Sequence, residues 1–445
     1  MEQKKQTIGL AAAIFTLVGY VIGPSIYILP GELGAKAGPA VFLAYLAASL
    51  VAVVVCLCSA QIGNVFPVRG ANYISISRVL SPFWGFMFVW MVLLIVATSI
   101  PAIAYACTDF LSYFIPALAK YRMLATMMII AVLVMINVMG VSLSVRVQAA
   151  MVIGMIASLW FFGFGGMANS NWNNFIPLFP NGTGHVIRAA LPAYFSYAGF
   201  IMIVSLGDEI RRPTRNIPIT LGASFLIVLV TYSIVALAVT GLIPWQQLSG
   251  VKIAAATAAD AFLPRAGTVV IMLSALLAAA TSVNGSLLGK SRDLFALARD
   301  GVLPEVLGRS NKKHGGPDAA IIFIGCLAIA GVTMAKSFAQ YATMTVLCLM
   351  VTQILAGAVI LLLPRKLPEQ FARAPFKLPA IVRVACGVSV ILVSFGYIVI
   401  GTWQSLRSML LFLAVCSLGG VVYAVRKSFQ GRQVNGFETL SREES

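Results

Sequence analysis

Long apolar runs, separated by short polar connectors, repeat along the whole chain. A helix that crosses about 30 Å of hydrocarbon needs about 20 mostly apolar residues. Read this way, the runs predict about twelve membrane-spanning helices, over residues 8–34, 39–66, 83–115, 122–140, 146–168, 186–207, 217–243, 266–290, 319–336, 341–364, 382–401 and 405–426. The predicted fold class is an all-α polytopic membrane protein. The first run holds a Gly-Pro pair at its midpoint, in Gly19-Tyr20-Val21-Ile22-Gly23-Pro24-Ser25-Ile26-Tyr27. Pro24 has no N–H and its ring collides with the carbonyl four residues earlier, so the helix should open around Tyr20 to Gly23. Open backbone inside a membrane is tolerated only where protein buries it or it lines a watery cavity, which makes the break a candidate binding site. A proline kink without a ligand is the alternative.

The sixth run repeats the signal. Leu191-Pro192-Ala193-Tyr194-Phe195-Ser196-Tyr197-Ala198-Gly199-Phe200 combines a proline, a serine, a glycine and four aromatics. Glycine tolerates unusual dihedrals and serine can satisfy freed backbone groups, so a second break is expected around Ser196 and Gly199. An ordinary packed span with a small-residue face is the alternative. Two interrupted spans five apart are what an inverted repeat would place there. Among the connectors, residues 169–185 form a polar loop rich in Asn and Pro, with a glycosylation-type triplet at Asn181-Gly182-Thr183. Residues 291–317 make the largest inner connector, where Arg292 to Arg299 has the pattern of an amphipathic helix running on from the eighth span. Residues 364–380 are basic and proline-rich. They divide a ten-helix core (residues 1–363) from two additional helices (381–428) and a tail (429–445).

Composition narrows the class further. The 445 residues are 60% hydrophobic and 10% charged, with two histidines and 14 acids, which leaves little material for a hydrolytic centre, a metal site or a bound cofactor; none is expected. The net charge of +17 does not point to nucleic acid, because the basic residues are scattered singly through connectors. With the N-terminus in the cytoplasm, 23 of the 31 Lys and Arg residues fall on the inner side and eight on the outer, the bias of cytoplasmic loops. Both termini are therefore expected in the cytoplasm of a multi-pass protein of the inner or plasma membrane. The seven cysteines lie in apolar runs without paired spacing and read as packing residues. Met1 to Thr7 is short and basic like a signal peptide, but no small-residue cleavage site follows and the apolar run is long, so it reads as a retained first span. A membrane-embedded enzyme would need convergent His, Asp or Cys within the spans, and a channel would need rings of like residues. Neither pattern is present.

Gly23-Pro24-Ser25-Ile26-Tyr27-Ile28-Leu29-Pro30 resembles the first-span signature of the amino acid–polyamine–organocation (APC) permeases, in which Gly-Ser-Gly-Ile-Phe is followed by a proline. Gly207-Asp208-Glu209-Ile210-Arg211-Arg212-Pro213-Thr214-Arg215-Asn216-Ile217-Pro218 is similar to that family's cytoplasmic motif after the sixth span, and Arg299-Asp300-Gly301-Val302-Leu303-Pro304 to its Asp-Gly-x-x-Pro after the eighth. The resemblance runs along the whole chain. It implies a five-plus-five inverted repeat with discontinuous helices 1 and 6, two extra helices, and secondary transport of a small amino acid or related amine.

By that resemblance, the substrate carboxylate meets free N–H groups around Ser25, Ile26 and Tyr27, where a helix dipole is positive. The ammonium meets carbonyls around Tyr20, Val21 and Ile22 and those of the second break, Tyr194 to Tyr197, with Ala198 and Gly199 completing the site. Phe195 stands where arginine-exchanging relatives carry a gating aromatic, and Asn284 and Gln353 are amides that either touch substrate or pack. Thr281-Ser282 matches the hydroxyls that sodium-coupled members use; such hydroxyls more often bond their own helix. The fifth span, Val147 to Met167, lacks the lysine of proton-coupled relatives. Two departures matter: Pro24 removes an N–H donor, and Gly199 is followed by Phe200, Ile201 and Met202 where many relatives have an acid shortly after the glycine. Within the predicted spans only Glu32 and Asp109 could recognise a cationic side chain, and both fall near outer ends, so a neutral substrate is favoured. Uniport, exchange and symport all stay open. The expected partners are the substrate and the bilayer, with a homodimer as a candidate assembly.

Overall fold

A computed structural model describes residues 8–429 apart from 69, 140–144, 206–209, 264, 300, 302, 312–315, 335–337 and 404–405. Gly207, Asp208 and Glu209 of the first cytoplasmic motif, Asp300 and Val302 of the second, residues 1–7 and the tail from residue 430 lie outside the described residues. Among the described residues the chain is helical throughout, without a named strand. Eight of its helices are long and apolar enough to cross a membrane singly. The pair Leu10–Val21 and Ser25–Ala37, bent by 41°, is one more, and three shorter apolar helices, Arg122–Val138, Asp318–Gly331 and Phe412–Ala424, bring the count to the expected twelve.

Local chemistry sets the boundaries. The third span, Pro82–Phe114, begins with proline in its first turn, and the Ser81 hydroxyl accepts the Trp84 N–H at 3.5 Å, so a missing donor and a side-chain cap deal with orphan amides together. The seventh span, Pro213–Leu242, also starts on proline. Its entry is fixed to the start of the first span by the Arg211 N–H, which donates to the Ile8 carbonyl at 2.9 Å. The eighth helix runs unbroken from Arg265 to Arg299. The amphipathic stretch after residue 290 is thus the same helix, and it brings a buried acid, Asp293, that the sequence boundaries had left in a connector.

Helices in lipid gain little from burying apolar surface and depend on close packing and on hydrogen bonds between side chains and backbone. The tenth span, Phe338–Lys366, and the eleventh, Ala380–Trp403, meet at two glycines. A Cβ on Gly357 would lie 3.0 Å from the Gly387 carbonyl oxygen, and one on Gly387 would lie 3.2 Å from that of Gly357. Ser394 of the eleventh span donates to the Gln353 side chain of the tenth at 3.3 Å, and the Gln353 amide donates to the Tyr194 hydroxyl of the sixth. Gln353 is therefore a packing residue that joins three spans. Between the tenth and eleventh spans, Gln61 of the second span, Val41–Val65, donates to the Phe376 carbonyl (3.2 Å) and accepts the Leu378 N–H (2.8 Å), so the linker is held against the core.

The tightest approach is at Gly331, where an added Cβ would sit 1.8 Å from the Ala97 carbonyl oxygen. Backbone cannot move aside as a side chain can. Gly331→Ala is expected to destabilise by about 3 kcal/mol, the upper range for overpacking, and to appear as lower monodisperse yield and a lower melting temperature in detergent.

Candidate functional site

The first span breaks where the sequence places the Gly-Pro pair. Its N-terminal half ends at Val21, and the C-terminal half starts at Ser25 with Pro24 as the flanking residue and no side-chain cap. A helix that starts there leaves its first N–H groups without intrahelical partners. The Tyr27 N–H is engaged by the Pro24 carbonyl at 3.1 Å, which leaves Ser25 and Ile26 as the donors of the expected trio. The sixth span breaks too. A helix over Thr183–Tyr194 gives way to a 3-10 turn, Phe195–Tyr197, then to turn residues, and helix resumes at Met202.

Side chains of the breaks themselves and of two other spans hold the two breaks in place. The Ser196 hydroxyl donates to the Ser25 hydroxyl at 2.9 Å, linking break to break directly. Tyr232 of the seventh span, fully buried, directs its hydroxyl at the Val21 carbonyl (3.0 Å) and the Ser196 carbonyl (2.8 Å). Ser282 of the eighth span lies 3.2 Å from the Tyr20 carbonyl oxygen and 3.5 Å from that of Gly19, as a donor to them. The carbonyls at the end of the N-terminal half-helix thus already have protein donors. Thr281 turns back on its own helix, donating to the Ala278 carbonyl at 3.1 Å.

A cavity of about 70 Å³ opens between the breaks. Its wall includes Tyr20, Val21, Gly23, Pro24 and Ser25 of the first span and Phe195, Ala198 and Gly199 of the sixth. The Tyr20 ring is wedged between two glycines: a Cβ on Gly199 would lie 2.9 Å from it, and one on Gly285 2.5 Å. On one side the Phe195 ring packs edge-on against Phe338 at 5.6 Å between centroids. Tyr27, buried, bonds Ser274 at 2.7 Å and packs edge-on against Phe110. In the other direction the wall continues down the eighth span through Ser282, Ser286 and Lys290, with Ser99 and Thr345 from the third and tenth spans.

Of the residues expected at the site, Ile22, Ile26, Tyr27, Ser196, Tyr197, Thr281 and Asn284 stand behind this wall and do not line it. Ile22 and Ile26 are fully buried. Asn284 and Tyr197 each carry a buried side-chain oxygen with no partner among the described residues, Asn284 Oδ1 and the Tyr197 hydroxyl. Neither Glu32 nor Asp109 reaches the cavity; Asp109 holds Arg122 through two hydrogen bonds of 2.6 and 2.8 Å, with the guanidinium over the Tyr105 ring. Sequence reasoning missed Ser286 and Lys290, although Ser282, Ser286 and Lys290 recur every four residues and so share one helix face.

A family model described as amino acid permease matches residues 7–421. The chain is 24% identical to a branched-chain amino acid permease of Bacillus subtilis, over 91% of this chain and 90% of the relative. It is 26% identical to a methylthioribose transporter of the same organism, over 96% of each. A b(0,+)-type amino acid transporter of Mus musculus is 26% identical over 92% of this chain and 86% of its own length.

Among the described residues, the Tyr232 hydroxyl is the one side-chain group that bonds carbonyls of both breaks. Tyr232→Phe would leave one of them buried without its donor, at about 1–3 kcal/mol. A lower melting temperature together with reduced substrate binding is expected; an unchanged protein in both assays would show that the bridge does not hold the site.

Proposed function

We propose, since this chain belongs to the amino acid permease family, that it carries a small amino acid or related amine across a cell membrane by alternating access around the cavity between its two broken spans. The observation that carries this reading is the uncapped helix start at Ser25, facing a cavity walled by both breaks. The free N–H at Ser25, which lines the cavity, with the positive end of the helix dipole, suits a carboxylate. The Tyr20 to Ile22 carbonyls and those of the sixth-span turn suit an ammonium, which can share oxygens that already accept one hydrogen bond, because each carbonyl has two lone pairs. With the N-terminus in the cytoplasm, the packed rings of Phe195 and Phe338 close the outer path while Ser286 and Lys290 line the inner one. This arrangement corresponds to an inward-facing state. Its reversal would require the Phe195 ring to leave Phe338, which gives that residue the part of an outer gate.

A second reading, exchange without sodium coupling, is favoured by the eighth-span hydroxyls. A hard cation needs several free oxygen ligands. The Ser282 hydroxyl is directed at the Tyr20 carbonyl and that of Thr281 at the Ala278 carbonyl of its own helix, so the two hydroxyls turn to different partners rather than to a common centre. The relatives' names, which include a branched-chain amino acid permease and a b(0,+)-type transporter, fit a substrate that is an amino acid.

Uptake of labelled amino acids into proteoliposomes, with and without internal substrate and with sodium or pH gradients, tests both readings. Uptake that needs internal substrate and ignores both gradients is expected. Concentrative uptake driven by sodium would overturn the exchange reading, and no uptake of any amino acid or amine would overturn transport itself. Ser25→Leu, which fills the cavity at the helix start, is expected to abolish uptake while the protein stays folded and monodisperse.

A further inference from the structure

Lys290 is the one charged side chain that lines the cavity, and no carboxylate lines it among the described residues. It projects from the eighth span on the same face as Ser282 and Ser286. At 1.5 Å of rise per residue, its Cα lies about 12 Å along the helix from Ser282, towards the inner end, and its long stem can carry the ammonium back along the apolar wall. It is half-buried, and among the described residues it has no ion pair or hydrogen bond, with Asp293 three residues on or with any other. Asp293 is engaged elsewhere and Arg292 likewise, and neither reaches the cavity wall. A cation in a membrane span that is not paired within the protein is costly unless it faces water or a ligand.

We infer that Lys290 is the charge filter of this transporter's inner path. It admits substrates that bear a carboxylate and no net positive charge, and it turns away cationic amino acids and polyamines. The inference rests on the transport reading above and narrows its substrate class. An ammonium that faces a small, low-dielectric cavity raises the potential throughout it. A substrate whose own positive side chain must pass meets no acid among the described wall residues to offset that repulsion, whereas the carboxylate of a zwitterion or an acidic amino acid is drawn inward before it docks at Ser25. The sequence argued for a neutral substrate from a missing acid. Lys290 makes the exclusion active.

The test uses isosteric pairs in proteoliposomes: norleucine against lysine, and glutamine against glutamate. For the unaltered protein, norleucine is expected to be taken up and lysine to compete at least tenfold less well, the scale of one charge felt across about 10 Å at an effective dielectric near 20. Lys290→Gln is expected to shrink the norleucine-to-lysine ratio by roughly tenfold, and Lys290→Arg to restore it, a pattern that a merely structural lysine would not produce. Equal competition by norleucine and lysine in the unaltered protein overturns the inference even if no variant folds. So does a Lys290→Gln protein that transports with its charge preference intact. Failure of the unaltered protein to move any member of either pair is a different result, which overturns the transport reading and removes the filter with it.

Discussion

Backbone groups inside a membrane must find partners within the protein, and the Tyr232 hydroxyl answers that demand for two broken helices at once. It meets the Val21 carbonyl at the end of one half-helix and the Ser196 carbonyl in the turn of the other. Ser282 does the same for Gly19 and Tyr20 from the opposite side, and Ser196 reaches Ser25. Each break would cost several kcal/mol if left open to hydrocarbon. The seventh and eighth spans therefore act as the frame on which the first and sixth can be discontinuous, and the discontinuity is what exposes N–H and C=O groups to a small polar ligand.

Steric fit then sets where the breaks meet. Gly199 and Gly285 lie on either side of the Tyr20 ring so closely that neither position admits a Cβ without displacement. This places an aromatic face at the cavity and holds the N-terminal half-helix of the first span in register with the eighth span. The same economy of side chain recurs away from the site, at Gly357 with Gly387 and at Gly331 with Ala97. Close helix contacts through small residues are the means of cohesion that remain when lipid is as apolar as the protein interior.

How much was legible in the sequence follows from what each feature depends on. Spans and breaks depend on local composition: apolar length is a property of a single run, and a proline such as Pro24 disrupts its own helix whatever surrounds it. The twelve spans and both interruptions were accordingly readable. Tyr232 was not, because nothing in the seventh span distinguishes a tyrosine that bridges two breaks from one that packs. Gln353 and Asn284 could not be told apart for the same reason, and only the fold turns the first toward Tyr194 and Ser394. Lys290 was placed at the very end of the eighth span and given no part in the site, although the helix continues to Arg299; its four-residue spacing from Ser286 and Ser282 was the available signal. Tyr27 was counted as a backbone donor, and its amide is instead taken by Pro24, a detail of turn geometry that residue types do not encode.

The central claim is that the substrate sits between the two breaks. An electron cryomicroscopy map of the purified protein, with and without a transported amino acid, tests it most directly. The account predicts added density bounded by Pro24 and Ser25 on one side and Ala198 and Gly199 on the other, with the carboxylate toward the helix start. Substrate density elsewhere, with that space unchanged between the two maps, would contradict it.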